Sequence, residues 1–215
     1  MTKRQSRDER GPRLDPHTVV RTALELLDEK GLEALSTRAV ADRLGVRMNT
    51  VLWHVKTKTR LLELMADAVL GEIPLDGLPG TPDERVRELA RRLRRALLAH
   101  RDGAALVVGT YGAEPHTLRF ADALVGALLD SGRDGREAAW TAWTITYFAL
   151  GLAQEEQAAS TQALPGRLAR AVSPTSHPAL HRVREHLDAD SFGERFEFGL
   201  AAILTPPGAA GGPGA

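Results

Sequence analysis

Cysteine is absent from the 215 residues of this chain. Disulfide bonds, thiolate metal sites and cysteine nucleophiles are therefore excluded. The sequence also lacks any run of about 18 apolar residues, so it predicts no membrane-spanning helix. The first ten residues are polar and charged, without the apolar core of a signal peptide. From these absences we expect a protein that stays in the cytoplasm and has no membrane partner.

Recognisable catalytic motifs are also missing. We find no Walker loop, dinucleotide fingerprint or nucleophile elbow. Three histidines, His177, His181 and His186, lie near one another in the chain. Pro178 places the first outside the predicted helix, and the five-residue spacing of the other two puts them on different faces. The sequence therefore predicts no enzyme, no cofactor and no metal site.

The net charge is zero, with 28 Lys and Arg against 28 Asp and Glu. The charge is unevenly distributed, however. Residues 1–60 carry 13 basic and 8 acidic side chains, and the remainder carries 15 and 20. A basic head on an acidic body places any contact with a polyanion at the N-terminal end.

Helical periodicity and breaker residues divide the chain into four parts. Residues 1–14 are charged and aperiodic, as in a flexible basic arm. Residues 15–73 read as four short helices, the first starting at Asp15-Pro16 with an N-cap acid and a first-turn proline. Prolines and glycines between 74 and 82 mark a boundary. Residues 82–205 form a second domain, and the Pro, Gly and Ala tail at 206–215 is expected to be disordered.

The second domain is predicted to be helical as well. One apolar stripe runs from Val86 to His100 opposite an arginine-rich face, and Gly103 is expected to stop this helix. Further helices are predicted at about 104–111, 116–131, 134–159, 178–188 and 191–204. No period of two persists with β-branched residues, so the fold class is all-α.

The most informative segment runs from Ser36 to Val55, where two short helices meet at Gly45. Val40, Leu44, Val46, Val51 and Val55 can share a core, which is the pattern of a helix-turn-helix. Its second helix is then presented to a DNA major groove about 12 Å wide. The alternative is a plain helical hairpin in a bundle. The outward positions are polar or interfacial: Arg47, Met48, Asn49, Thr50, Trp53 and His54.

Residues 14–70 resemble the TetR family of transcriptional regulators, and Leu52-Trp53-His54-Val55-Lys56-Thr57-Lys58 resembles its tetracycline-repressor branch. The likeness continues in the body, at 97–104, 148–157 and 196–200. The resemblance implies an Ω-shaped all-α homodimer that a ligand displaces from its DNA operator. It also implies an N-terminal helix-turn-helix head and a C-terminal bundle for ligand binding and dimerisation.

By position, the resemblance assigns DNA contacts to both helices of the motif. It places Thr37 and Arg38 at the start of the positioning helix, and Lys58 on a phosphate. On the recognition helix it assigns Met48, Asn49, Thr50, Leu52, Trp53 and His54. The tetracycline repressor has Gln, Pro and Tyr at the places of Met48, Asn49 and Leu52, so we expect a different operator sequence.

The ligand side departs further from that branch. Val107 stands at the place of the metal-binding histidine, and Pro74 and Leu89 at those of a drug-binding histidine and asparagine. Because these residues offer no ligand to a hard cation, a magnesium–tetracycline complex is disfavoured. The expected inducer is instead a small apolar or aromatic molecule. The candidate lining comprises Leu89, Leu93, Val107, Thr110, Phe120, Trp143 and Tyr147.

Two alternatives stay open for these residues. Leu89 and Phe120 fit ordinary core packing equally well. Trp143 and Tyr147 also fit a dimer interface, in which residues 134–159 and 191–204 pair with their copies. The aromatic surface expected there comprises Trp140, Tyr147, Phe148, Phe192 and Phe196.

The sequence thus predicts a ligand-responsive transcriptional repressor that binds a palindromic operator on double-stranded DNA as a homodimer. A small-molecule inducer releases it, and it is not an enzyme. The alternative is an all-helical enzyme or a scaffold dimer with an incidental helix-turn-helix.

Overall fold

The computed structural model describes residues 14–110, 113–162, 166, 170–187 and 191–205. The described residues form helices and contain no β-strand, which confirms the all-α prediction. Nearly all of the predicted arm and the whole predicted tail lie outside them. The helices are α1 (Pro16–Lys30), α2 (Thr37–Leu44), α3 (Met48–Val55), α4 (Lys58–Gly71), α5 (Pro82–Ala99), α6 (Gly103–Val108), α7 (Pro115–Asp130), α8 (Gly135–Gln162), α9 (Pro178–Arg182), a 3₁₀ turn (Arg184–His186) and α10 (Phe192–Leu204).

Side-chain caps start the helices of the head. The first turn of a helix leaves backbone N–H groups without partners, and a short polar side chain just before the helix can accept from one of them. Asp15, Ser36 and Thr57 each do so, at distances of 2.7, 3.1 and 3.0 Å. These caps explain why α1, α2 and α4 begin where the sequence pattern places them.

The segment predicted as one helix at 178–188 is broken in the structure. It forms the five-residue helix α9 and a short 3₁₀ turn, separated at Val183. Neither piece has a buried residue. Without tertiary packing, a short segment gains too little to complete a regular helix.

A contiguous apolar core runs through both the head and the body. α5 packs against α7 and α8, and α10 packs on α8. α4 is shared, because it packs against α1 on the head side and against α5, α6 and α7 on the body side. The head is therefore carried by a helix that is itself part of the body core.

The turn between α5 and α6 also holds the head. The ring nitrogens of His100 lie 3.1 Å from carboxylate oxygens of Asp28 and Glu72. Asp102 accepts from the backbone N–H of Leu32 at 2.8 Å. Together these contacts tie the C-terminal ends of α1 and α4 to the body.

Gly103 does not stop α5, contrary to prediction. α5 ends at Ala99, and Asp102 has the positive φ of 56° that ends the turn. A Cβ atom at Gly103, the first residue of α6, would lie 2.3 Å from the carbonyl oxygen of Leu97. Glycine is thus needed here for a close backbone approach.

Within the described ranges, no helix has the length and apolarity to cross a membrane.

Candidate DNA-binding interface and ligand-binding region

The helix-turn-helix is built by a glycine turn and a small shared core. Gly45 has a φ of 65°, in the left-handed region that glycine adopts without a Cβ penalty. The N–H of Val46 then donates to the carbonyl of Ala41 at 3.0 Å, as in a helix-ending turn. Val51 and Val55 are fully buried and hold α3 against the core. The opposite face of α3 is therefore presented outward.

That outward face carries most of the residues predicted to bind DNA. Thr37, Leu52 and His54 are half-buried. The exposed members of the prediction make up a surface on α2, α3 and the start of α4: Arg38, Arg47, Met48, Asn49, Thr50, Trp53 and Lys58.

Trp53 is the most exposed large hydrophobic side chain of this surface, with 67% of its area accessible. The Lys56 ammonium donates to the carbonyl of Trp53 at 2.9 Å and lies 5.7 Å from the centre of its ring. The His54 ring meets Trp53 edge-on, with centroids 4.7 Å apart. The end of α3 thus presents an aromatic ring beside a cation, which suits contact with DNA sugars and phosphates.

An ion pair that sequence reasoning missed fixes α2 to α1. The guanidinium of Arg43 donates two hydrogen bonds to the carboxylate of Glu29, at 2.9 and 2.5 Å. The same contact holds the pKa of the Glu29 carboxyl below its usual value. No local pattern could have found this pair, because its members are 14 residues apart on different helices.

Charged side chains also join α4 to α7. Arg60 binds Glu114, and the buried carboxylate of Asp67 accepts from Thr117. The sequence contained one signal for Asp67, which is an acid among the apolar positions of α4. Such a residue in a buried stripe needs a specific hydrogen-bonding partner.

The seven predicted ligand-binding residues do not form one group. Leu89, Leu93 and Phe120 are buried in the core, and Val107 packs partly buried against it. The Thr110 hydroxyl donates back to the carbonyl of Val107 at 2.9 Å. Leu89 and Leu93 lie on α5, Val107 on α6 and Phe120 on α7, and Thr110 lies just after α6.

Trp143 and Tyr147 lie apart from them, on the exposed face of α8. They stack on each other, with centroids 5.6 Å apart, and about half of each side chain is accessible. The opposite face of α8 supplies Ala138, Ala142 and Ile145 to the core. Their exposure favours the dimer-interface interpretation over a place in the lining.

The aromatic surface differs in part from the one expected. Phe196 is buried in its own subunit, stacked 5.7 Å from Phe148, so its predicted place at the interface is wrong. Phe198, two residues later on α10, is instead 79% exposed. With Trp140, Trp143 and Tyr147 it makes up the exposed aromatic side chains of α8 and α10, which we call the aromatic face.

Two surface grooves are present away from the predicted lining. One, of about 350 Å³, lies between the start of α8 and the end of α10. The other runs along the outer side of α7. None of the seven predicted residues lines either groove. Among the described residues, no three His, Cys, Asp or Glu side chains are grouped so as to hold a metal ion.

Comparison with known families gives two matches that together span most of the chain. Residues 19–65 match the family of bacterial regulatory proteins called the tetR family. Residues 74–205 match the tetracyclin repressor-like C-terminal domain.

Individual proteins agree with these matches. The class A tetracycline repressor protein from transposon 1721 of Escherichia coli is 37% identical over 195 residues, covering 89% of each chain. A Streptomyces coelicolor A3(2) protein described as a possible TetR family regulator superimposes with a TM-score of 0.81 at 37% identity, covering 88% of this chain and 97% of its own. The TetR family protein ActR of Streptomyces coelicolor, in complex with actinorhodin, superimposes with a TM-score of 0.81 at 29% identity, covering 90% and 95%.

Proposed function

This chain belongs to the TetR family of bacterial regulatory proteins, and we propose that it represses transcription as a homodimer that a small molecule releases from its operator. The function itself is ligand-responsive, DNA-binding transcriptional repression. We assign operator binding to residues 15–73, and ligand binding and dimerisation to residues 82–205. As a regulator of transcription, it is proposed to act in the cytoplasm. We propose no catalytic role.

The observation that carries the DNA-binding proposal is the exposed face of α3. Arg47, Asn49 and Thr50 are exposed at its start, where a recognition helix meets base edges. Arg38 and Lys58 flank them as phosphate contacts. Asparagine can pair with adenine through two hydrogen bonds, and arginine can do so with guanine. Arg47 and Asn49 are therefore the proposed base readers, and Met48, Leu52, Trp53, His54 and Thr37 complete the contact surface.

The aromatic face supports a two-fold dimer. Exposed large aromatic side chains in such number on two adjacent helices are typical of an interface rather than of a free surface. Pairing α8 and α10 with their copies would cover them. A two-fold dimer also places two recognition helices about 34 Å apart, which matches one turn of a palindromic operator.

For the inducer we propose a flat, largely apolar molecule that binds without a metal. Leu89, Leu93, Val107 and Phe120 offer apolar contact, and among these five candidates only Thr110 adds a polar group, its hydroxyl. ActR, which shares this fold, is known in complex with actinorhodin. Because Leu89, Leu93 and Phe120 are packed in the core, a ligand that contacts them must separate α5 from α7. Such a shift is what changes the position of the head.

A gel-retardation experiment with the promoter region of the protein's own gene tests this function. We expect a salt-sensitive complex, released by actinorhodin used as an aromatic probe and unaffected by EDTA. Tetracycline with magnesium should leave the complex intact. Failure to bind the promoter fragment at low salt would contradict the repressor assignment. Release by magnesium–tetracycline at micromolar concentration would contradict only the proposed inducer class.

A further inference from the structure

Lys56, in the short connection between α3 and α4, has a backbone conformation that residues other than glycine rarely adopt. Its φ is 65° and its ψ is −56°. Across it, the N–H of Thr57 donates to the carbonyl of Val55 at 2.7 Å. These angles and this bond define the rare, strained form of the γ-turn. Asp102, which also has a positive φ, has a ψ of 21° and lies in the more accessible left-handed helical region.

Packing on both sides holds Lys56 in this conformation. Val55, the last residue of α3, and Leu61, in the first turn of α4, are fully buried. The Thr57 hydroxyl accepts from the backbone N–H of Arg60 at 3.0 Å, which fixes the start of α4 directly after the turn. Strained backbone persists where its surroundings determine it, and it is common at functional sites. Glycine adopts a positive φ without this penalty, so the reason for lysine lies in its side chain.

Lys56 closes the C-terminal end of α3 with its backbone and with its side chain. The last carbonyls of a helix have no partner within it. The N–H of Lys56 donates to the carbonyl of Leu52 at 2.8 Å, and its ammonium donates to the carbonyl of Trp53 at 2.9 Å. A cation here also offsets the negative end of the helix dipole, on a helix that is proposed to meet phosphates.

The same ammonium lies beside the Trp53 ring. The distance from the Nζ atom to the centre of the ring is 5.7 Å, within the range of a cation–π contact. The ring also meets that of His54 edge-on. Because most of the Trp53 side chain is exposed, these contacts replace the core packing that would otherwise select its rotamer. A side chain that is ordered before binding loses less conformational entropy when it contacts a partner.

We propose that Lys56 is a positioning residue for operator binding, and that its ammonium holds the Trp53 indole in the orientation in which the indole contacts DNA. The strained turn directs the Lys56 side chain back onto the end of α3. This inference rests on the proposed function and adds a residue to its DNA-binding surface. A direct phosphate contact is the other role open to an exposed lysine here, and the two roles give different results in binding measurements.

The test combines substitutions at positions 56 and 53. Lys56→Met keeps a long side chain without the ammonium, and Lys56→Arg keeps a cationic donor. Trp53→Ala removes the ring and is measured alone and together with Lys56→Met, which completes a double-mutant cycle. Lys30→Met is the matched control, because it removes an exposed lysine from the last residue of α1, where we propose no DNA contact.

Operator affinity is measured by fluorescence anisotropy with the promoter fragment at several salt concentrations. We expect Lys56→Met to bind about fivefold more weakly, with an unchanged slope of log affinity against log salt concentration. Lys56→Arg should stay within about twofold of the wild type, and Lys30→Met should match it. In the Trp53→Ala protein, Lys56→Met should cause no further loss, because the ring that it positions is absent.

The order of the Trp53 ring is measured without DNA, by NMR relaxation of the indole N–H groups. The chain has three tryptophans, and the Trp53 signal is the one that Trp53→Phe removes. We expect a lower order parameter for this indole in Lys56→Met and a wild-type value in Lys56→Arg. Circular dichroism confirms folding. If Lys56→Met does not fold, Lys56→Gly takes its place, because glycine adopts the positive φ without a Cβ penalty.

An equal loss with and without the Trp53 ring would overturn the inference. So would a slope less steep by about one unit in Lys56→Met, which would make Lys56 a phosphate contact. Wild-type affinity or an unchanged order parameter in Lys56→Met would overturn it as well. If the wild type does not bind its promoter fragment, the proposed function fails, while the order parameter still reports whether Lys56 holds the ring.

Discussion

Arg38 and Asn49 are both exposed, and we propose different roles for them in DNA binding. Arg38 lies in the first turn of α2, and Asn49 in the first turn of α3. A cation at the edge of the surface contacts phosphates, which are the same in every sequence. An amide at the centre meets base edges, which differ.

Replacing Arg38 with alanine is expected to weaken binding to all DNA sequences equally. Without this phosphate contact, binding releases one counterion fewer. The slope of log affinity against log salt concentration should therefore be less steep by about one unit. Fluorescence anisotropy titrations over a range of salt concentrations measure that slope. Arg184→Ala, an exposed arginine in the body, is the control.

Asn49→Ala should instead alter the preferred base at one position of each half-site and leave the slope nearly unchanged. A uniform loss with Asn49→Ala, or an unchanged slope with Arg38→Ala, would show that the two roles are wrongly assigned.

At the scale of elements, the glycines at 45 and 103 have different physical reasons. Gly45 has a positive φ and open space around the place of a Cβ atom. Gly103 has no such φ, but a Cβ atom there would meet the backbone of α5. Glycine is required at position 45 by the backbone conformation, and at position 103 by the lack of space for a Cβ atom.

Gly45→Ala should therefore cost about 1 kcal/mol of the free energy of unfolding, the usual penalty for a side chain in the left-handed region. Gly103→Ala should cost more, because the backbone of Leu97 must shift to admit a methyl group. Urea unfolding at fixed protein concentration measures both. Equal losses would argue against the close approach at Gly103.

The broken segment at α9 shows that helix formation also depends on packing. Its sequence has helical periodicity, but none of its residues is buried. Periodicity predicts a helix only where a partner surface exists to receive the apolar side.

At the scale of the whole molecule, the exposed aromatic face is the proposed dimer interface. We expect a dimer in analytical ultracentrifugation at micromolar concentration. Trp143→Glu should shift it toward monomer, because a charge would be buried without a partner at the interface. Trp53→Glu, which changes a somewhat more exposed tryptophan in the head, should leave the dimer intact. A wild-type monomer would contradict the assembly.

Stability should also depend on pH through ion pairs, some between helices and one, that of Glu88, within α5. Hydrogen bonds from arginine lower the pKa values of carboxyls on α1, α5, α10 and before α7: Glu29, Glu88, Glu197 and Glu114. Because the folded-state pKa is below the unfolded one, the unfolded chain binds more protons in between. The contribution of these ion pairs to the free energy of unfolding is complete above the ordinary carboxyl pKa of about 4.3 and is lost as the pH falls below it.

Urea midpoints between about pH 6 and pH 3.5 measure this loss. The decline should be shallower in Glu88→Gln, which lacks one of these carboxyls. A constant midpoint across the range would contradict the account.

The sequence by itself determined the helices of the head, the turn at Gly45 and the family. Caps such as those at Asp15 and Ser36 bond to a backbone group three residues away, so local order is enough to predict them. The same holds for the exposed polar face of α3, which follows from helical periodicity around Val51 and Val55.

Only the tertiary structure decided which helices hold the head in place. Arg60 and Glu114 are 54 residues apart, and Asp67 and Thr117 are 50 apart. It also decided that Phe196 is buried while Phe198 is exposed, and that Leu89 is buried while Trp143 is exposed. Such pairings depend on the angles at which helices cross and on which faces meet, and these are set by packing of the whole core rather than by residues nearby in the chain.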